Sequence, residues 1–166
     1  MKITFLILLC SYFSHPITHT TGIEESTAQN EQAITAFLDA WHVAAAKADS
    51  TGFFGVMSDS SIYIGTDATE RWTKQEFMKF AMPYFRKGKA WDFKPYDRDI
   101  HFSSDGKLVW FSELLTTWMG VCRGSGIIRF DGSEWKIDQY HLSVTVPNDI
   151  VRDFISLVEK YESQKK

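Results

Sequence analysis

The stretch DGSEWKIDQYHLS, residues 131–143, carries the strongest indication of the fold in this sequence. Its first three residues, Asp131, Gly132 and Ser133, have the chemistry of a hairpin turn. Residues 135–146 then follow a period of two, which predicts a β-strand with a separate set of side chains on each face. One face carries Trp135, Ile137, Gln139, His141 and Ser143, and the other carries Lys136, Asp138 and Tyr140. The first face passes from apolar to polar, as expected for a strand that reaches from a core to the mouth of a pocket.

The same period of two extends back to Gly88 and predicts three earlier strands. They cover about residues 91–102, 108–119 and 122–130, and the sequence SSDG at 103–106 predicts a second hairpin turn. Four successive strands of this kind indicate a long antiparallel meander.

Helical patterns come before and after the meander. Apolar residues recur at helical spacing over residues 31–48, and a shorter helix is predicted over 51–57, followed by a brief strand at 61–65. Thr73 and Glu76 form a capping box at the start of a third helix, and Pro147 opens a last helix with one apolar stripe. Helices followed by antiparallel strands predict an α+β domain with the helices on one face of a bent sheet.

Composition limits the functional classes. The chain of 166 residues suits one domain, and its aromatic content of 15%, with six Trp and thirteen Phe, indicates an aromatic-lined cavity or a thick core. The net charge of −3, with dispersed Lys and Arg, provides no basic stripe for phosphate contacts. We therefore expect no nucleic-acid partner.

The N-terminus predicts export. Lys2 precedes an apolar run at residues 3–13 that has the length of a signal-peptide core and is too short to span a bilayer. We assign residues 1–22 to a signal peptide and 23–30 to a polar leader, and we expect a periplasmic or secreted protein with no stable membrane insertion after signal removal. Cys122 is then the only cysteine left, so no intramolecular disulfide can form.

The connection IGTDATERW, residues 64–72, holds more chemistry than a turn needs. Gly65 and Asp67 suit a turn, and Thr73 caps the next helix. Glu70 and Trp72 are not needed for either role, and we predict that they form part of a pocket rim.

This order of elements resembles the cone-shaped nuclear transport factor 2-like superfamily and, within it, the SnoaL-like proteins. The resemblance rests on IGTDATERW, on the spacing Arg123-x-Ser125-x-Ile127-Ile128, and on the pattern Trp135-x-Ile137 followed by His141-x-Ser143. The association domain of calcium/calmodulin-dependent kinase is similar over the same stretch. The resemblance covers residues 31–148 and implies N-terminal helices packed on a strongly curved, mostly antiparallel sheet, with residues 149–166 as an extra C-terminal helix and tail. The superfamily includes isomerases, cyclases, dehydratases, adaptors and assembly hubs, so the resemblance does not imply one activity.

Glu113 is a candidate catalytic residue because it alternates with Val109, Phe111 and Leu115 on one strand face. If that face is inward, Glu113 is either paired or has a raised pKa, since an ion in an apolar pocket is unfavourable. Glu113 and His141 would then form a general base and its partner. Alternatively, Glu113 faces solvent or pairs with Arg123 or Arg129 across the sheet.

Comparison with steroid isomerases of this fold implies a tyrosine on the first helix and an aspartate at the end of the first strand. This chain has Trp41 or His42 and Gly65 at those positions, so the known acid and base do not carry over. Trp41 remains a candidate ligand contact, and Asp67 is either a substitute base or a turn residue.

The remaining groups of polar residues give little indication of a functional site. His42, His101 and His141 lack metal-ligand spacing, so we expect no metal and no cofactor. Gly124 and Gly126 predict a bulge or a close backbone approach in a curved sheet, which leaves Arg123 either a pocket cation or an exposed sheet residue.

The favoured function is the binding of a small organic molecule in a partly apolar pocket by a homodimer that packs through its open sheet face. Gln139, Ser143, Glu70, Trp72, Trp41 and Arg123 are candidate ligand contacts, and Glu113, His141 and Asp67 are candidate catalytic groups for isomerisation, dehydration, cyclisation or hydrolysis. The alternative is a non-catalytic dimerisation or adaptor module, with the cone filled by side chains and an exposed apolar sheet face.

Overall fold

A computed structural model describes residues 21–164, and the side chains from residue 30 onward. Four helices span α1 (Thr21–Ala46), α2 (Ser50–Gly55), α3 (Lys74–Arg86) and α4 (Val151–Ser163), with a 3-10 turn at Asn148–Ile150 before the last. None of the helices in the described residues is long and apolar enough to cross a membrane.

Six strands form one sheet. They are β1 (Met57–Ile64), β2 (Arg71–Thr73), β3 (Lys94–Phe102), β4 (Leu108–Thr117), β5 (Gly120–Phe130) and β6 (Trp135–Val144), in the spatial order β2-β1-β6-β5-β4-β3. β1 pairs with β6 in parallel, and all other neighbours are antiparallel. This arrangement confirms the predicted α+β class and the cone-shaped fold with an extra C-terminal helix.

The sheet has two chemically different faces. We call the inner face the one that packs on α1 to α3; on β4 it carries Val109, Phe111, Glu113 and Leu115, all buried, as the period of two predicts. The outer face is open to solvent and exposes large apolar side chains: Leu108, Trp110, Val121 and Ile127. The core therefore lies between the helices and the inner face.

The start of α3 follows the sequence signal closely. The Thr73 side chain accepts a hydrogen bond from the Glu76 amide, and the Glu76 carboxylate accepts one from the Thr73 amide at 2.9 Å. This confirms the predicted capping box, which satisfies two backbone groups at the helix end.

Several boundaries differ from the sequence expectations. The predicted signal peptide lies outside the described residues except for its last two positions, and residues 23–30, predicted as a leader, are part of α1. β1 starts at Met57 rather than residue 61, and the three-residue β2 was not predicted, because three residues carry no readable period. Helix α4 exists as predicted, but every described residue in it is exposed.

Candidate functional site

A charged cluster lies inside the cone, centred on Glu113. Its side chain on β4 is 0% exposed, and its Oε1 lies 2.6 Å from Nε2 of His42 on α1. Arg98 on β3 reaches the other oxygen, Oε2, through Nε at 2.8 Å and a terminal nitrogen at 2.7 Å. The buried carboxylate therefore has a partner on each oxygen, as an ion in a core requires.

A β-bulge turns Arg98 toward this cluster. Asp97 has a positive φ of 50°, and the β3–β4 register shifts between Tyr96 and Asp99. The extra residue changes which side chains face inward, so Arg98 reaches the core although regular alternation from Pro95 would place it outside. Arg98 also contacts two groups of α1, the Asp39 carboxylate at 2.9 Å and the Thr35 carbonyl at 3.1 Å. The guanidinium thus fastens the first helix to the sheet.

The partners of Glu113 determine its protonation. Burial raises the pKa of Glu113, but hydrogen bonds and charges from His42 and Arg98 outweigh this, and the pKa lies below its ordinary value of 4.5. Of the two outcomes foreseen for an inward Glu113, pairing or a raised pKa, the geometry corresponds to pairing. Glu113 is therefore a carboxylate near neutral pH.

Tyr140 adds a polar group without a partner beside this pair. Its hydroxyl is buried and makes no hydrogen bond within the described residues, and it packs against the Cα of Gly124, where a side chain would collide with it. Burial and then the negative charge of Glu113 raise the pKa of Tyr140 well above its ordinary value. A cavity of about 10 Å³ beside it, lined by Trp41, His42 and Tyr63 among others, has room for about one water molecule.

A much larger opening, the mouth pocket, lies at the end of the cone and has a volume of about 330 Å³. Its walls come from the end of β1, from β2, from α3, from residues 90–93 and from the β4–β5 turn. Eight of its fourteen lining residues are aromatic, among them Trp72, Phe77, Phe80, Tyr84, Trp91 and Trp118. The other two, Tyr63 and Phe93, also line the small cavity, as does Trp91. The three shared rings form the partition between the open mouth and the His42–Glu113 pair.

The rings on the mouth side pack against each other in layers. Trp72 stacks on Phe80 with 4.8 Å between ring centroids, and Phe77 stacks on Tyr63 at 3.7 Å. Trp118 differs, because it projects from the β4–β5 turn and is 84% exposed. Its indole therefore makes less contact with the core than the other rings of the wall.

The connection at 65–70 forms the rim of the mouth pocket. Asp67 Oδ1 accepts hydrogen bonds from the Thr69 amide at 2.9 Å and hydroxyl at 2.6 Å, the pattern of an Asx-type turn. Glu70 folds back so that its Oε2 accepts from the Asp67 amide at 3.2 Å and lies against Gly65, where any side chain would collide with it. Glu70 and Trp72 line the pocket, as the prediction of a rim requires, whereas Asp67 does not.

The predicted facing of the last strand is wrong beyond Ile137. A bulge leaves Asp138 with no residue opposite it on β5, between the paired positions Ile128–Ile137 and Ile127–Gln139. Alternation shifts by one residue, so Tyr140 and Leu142 point inward and are buried. Gln139, His141 and Ser143 lie on the outer face, where Ser143 Oγ and His141 Nε2 are 3.2 Å apart.

The predicted pairing of Glu113 with His141 is therefore wrong, and His42 takes that place. Arg123 pairs in register with Ser143 on the outer face and is exposed. Arg129 is bound to Asp138 at 2.7 Å rather than to Glu113. Trp41, predicted as a ligand contact, lines the small cavity instead of the mouth pocket.

Arg98 and Tyr140 belong to the buried polar cluster but were not identified from the sequence. In each case a β-bulge turns the side chain to the face opposite the one that regular alternation predicts. His42 had a usable signal: it follows Leu38 by four residues and precedes Ala45 by three, which places it on the buried stripe of α1.

Comparison with known proteins gives a family model and solved structures. A model described as SnoaL-like domain matches residues 34–147. A domain of unknown function with a cystatin-like fold from Nostoc punctiforme has 18% identity and a TM-score of 0.62, covering 82% of this chain and 91% of that one. A nuclear transport factor 2-like protein of unknown function from Pseudomonas putida has 15% identity and a TM-score of 0.61, with coverages of 74% and 90%.

A provisionally named scytalone dehydratase from Novosphingobium aromaticivorans is 9% identical, with a TM-score of 0.61 and coverages of 74% and 89%. No match to this chain is found among the curated proteins. At these identities the solved structures bear on the fold and not on the activity.

Proposed function

The chain belongs to the SnoaL-like domain family, and from that premise we propose that it binds a small, largely apolar organic molecule in the mouth pocket. The observation that carries the proposal is the pocket itself, a space of about 330 Å³ with eight aromatic walls. This volume is at the lower end of the range for small-molecule sites, and apolar walls with few polar groups are typical of them. The apolar run at residues 3–13 supports an exported protein.

The interior of the cone favours binding at the mouth over binding at the centre. The space beside His42 and Tyr140 holds about one water molecule, because aromatic rings fill the rest. A ligand therefore has room above the partition of Tyr63, Trp91 and Phe93 without any rearrangement of the core.

The test is a thermal-shift and tryptophan-fluorescence screen of the purified protein against small apolar metabolites. Ligands that bind the native state raise its stability by mass action. We expect a chemically coherent set of hits whose affinity falls in Trp118→Ala and is unchanged in Trp110→Ala, a matched exposed tryptophan on the outer face. Absence of hits, or an equal loss in both variants, would contradict the proposal.

A second candidate function is cofactor-free proton transfer on the bound molecule by His42. It is favoured by the 2.6 Å contact with Glu113, which would orient the ring, and it requires a partition ring such as Tyr63 or Phe93 to move aside so that the bound molecule reaches His42. With a hit in hand, the test is turnover in His42→Gln. Loss of turnover with retained affinity supports an enzyme, and unchanged turnover removes His42 from the mechanism.

The outer face supports a homodimer. Leu108, Trp110 and Ile127 are exposed there as neighbours, with Val121 further along β5, and exposed apolar side chains grouped on one sheet face favour an interaction site. A second copy of the chain would cover this face while leaving the mouth pocket, on the other side of the sheet, open.

A further inference from the structure

We infer that the mouth pocket selects organic cations, meaning protonated amines or quaternary ammonium compounds with a small apolar body, over neutral molecules of the same shape. This inference rests on the proposed function and specifies the ligand class of the same site.

The lining has one formal charge, and it is negative. Glu70 is a wall residue, and none of the fourteen lining residues is Lys, Arg or His. No ion pair in the described part of the chain involves Glu70. The pocket therefore has a carboxylate without a counter-charge, and an entering cation would supply one.

The rim keeps this carboxylate beside the aromatic walls. The Asp67 amide donates to Glu70 Oε2 at 3.2 Å, and the Glu70 backbone accepts from the Gly65 amide at 2.8 Å. Because Gly65 has no side chain, the carboxylate can lie against the backbone at the pocket wall. Burial and then the charge of Glu70 raise the pKa of Tyr63, as expected for a carboxylate next to this wall.

The aromatic walls favour the same ligand class. Ring faces carry partial negative charge and attract ammonium groups, and a cluster of rings around one cation is a known means of recognising quaternary ammonium. Trp118, the most exposed large apolar residue in the described chain, can present its indole face to a ligand held against Trp72 and Trp91. The net charge of −3 adds a weak long-range attraction for cations.

The experiment compares phenyltrimethylammonium with its neutral isostere tert-butylbenzene, which differs only by a carbon in place of the charged nitrogen. Binding of both to the purified protein is measured by quenching of tryptophan fluorescence and by ligand-observed nuclear magnetic resonance. We expect the cation to bind about tenfold more tightly, and its affinity alone to fall with rising salt.

Two variants separate the contributions. Glu70→Gln keeps an oxygen that can accept from the Asp67 amide, so the rim is retained while the charge is lost; we expect the preference for the cation to shrink about fivefold or more. Trp118→Leu removes a ring that makes little contact with the core. It should lower the affinity for the cation more than the affinity for the isostere.

The outcomes separate the two proposals. Equal binding of cation and isostere, tighter binding of the isostere, or an unchanged preference in Glu70→Gln would overturn the cation inference and leave the binding function in place. Failure of both probes, together with failure of the metabolite screen, would overturn both proposals.

Discussion

The carboxylate of Glu113 and the imidazole of His42 lie 2.6 Å apart although 71 residues separate them in the chain. The pair joins the middle of β4 to α1, and Arg98 joins the same carboxylate to β3. The cone is therefore held together at its centre by charge as well as by apolar packing.

The first prediction is that Glu113→Gln strongly destabilises the fold. The substitution leaves the Arg98 guanidinium in the core without its main counter-charge, and breaking a buried pair in this way costs about 3–5 kcal/mol. The measurement is urea unfolding followed by circular dichroism. Asp99→Asn is the control. The pair of Asp99 with His101 is exposed, so its loss should cause no detectable change in stability. A Glu113 variant as stable as this control would contradict a structural role for the cluster.

The second prediction concerns acid. The pKa of Glu113 is lower in the folded than in the unfolded chain, where its ordinary value is 4.5. The native state therefore gains stability from this group above pH 4.5 and loses that gain as the pH falls through the folded pKa. The stability difference between wild type and Glu113→Gln should be largest near pH 6 and shrink toward pH 3. A difference that stays constant across this range would show that the charge of Glu113 is not what the variant removes.

The third prediction couples Gly124 and Tyr140. A methyl group on Gly124 would collide with the Tyr140 hydroxyl and approach Glu113 Oε1 to 3.2 Å, so Gly124→Ala should cost about 1–3 kcal/mol. Tyr140→Phe removes the colliding oxygen, and in its presence Gly124→Ala should cost much less. The measurement is a double-mutant cycle by denaturant unfolding.

Gly55→Ala is the control for this cycle, because nothing lies within 4 Å of the added methyl group. Additive effects of Gly124→Ala and Tyr140→Phe would mean that the hydroxyl is not what occupies the space next to Gly124.

The fourth prediction tests the cap of α3. Thr73→Ala removes the acceptor for the Glu76 amide and should lower stability by about 1 kcal/mol. Because α3 supplies Phe77, Phe80 and Tyr84 to the mouth pocket, the same variant should also lower the affinity for any ligand found in the screen. Ser104→Ala, in an exposed turn, should change neither property. A variant with unaltered unfolding would argue against the cap.

The fifth prediction addresses self-association. Trp110→Glu places a charge beside Leu108 and Ile127, among the exposed apolar side chains of the outer face, and should convert a dimer to a monomer in sedimentation equilibrium. Leu157→Glu, on the exposed apolar side of α4, shows whether that helix takes part in the same interface. A wild-type protein that is monomeric at high micromolar concentration would contradict the proposal of a homodimer.

Sequence reasoning identified the fold because periodicity, hairpin turns and caps are local. It placed Glu113 on the same strand face as Val109 and Phe111, and that face is buried. It failed at Asp138 and at Asp97, where one extra residue reverses a strand face. A bulge depends on the neighbouring strand, so no pattern within β6 indicates that His141 turns outward.

The pairing of Glu113 with His42 could not be predicted from the sequence for a related reason. Which group on α1 meets β4 depends on how the helix crosses the sheet, and periodicity gives only the stripe on which His42 lies. The composition indicated an aromatic-lined cavity or a thick core, and the connection at 64–72 placed Glu70 and Trp72 at a pocket rim. The pocket residues from α3 and from the β4–β5 turn are brought together only by the closed cone.

The parallel pairing of β1 with β6 has a consequence for synthesis of the chain. As the protein leaves the ribosome, β1 has only the three residues of β2 as a neighbour until residues 135–144 emerge. Contacts this distant in sequence form slowly, because a long loop must close first. The sheet thus closes only after Trp135–Val144 has been synthesised, and a nascent chain that stalls before Trp135 presents β1 as a bare edge on which a neighbouring chain can add.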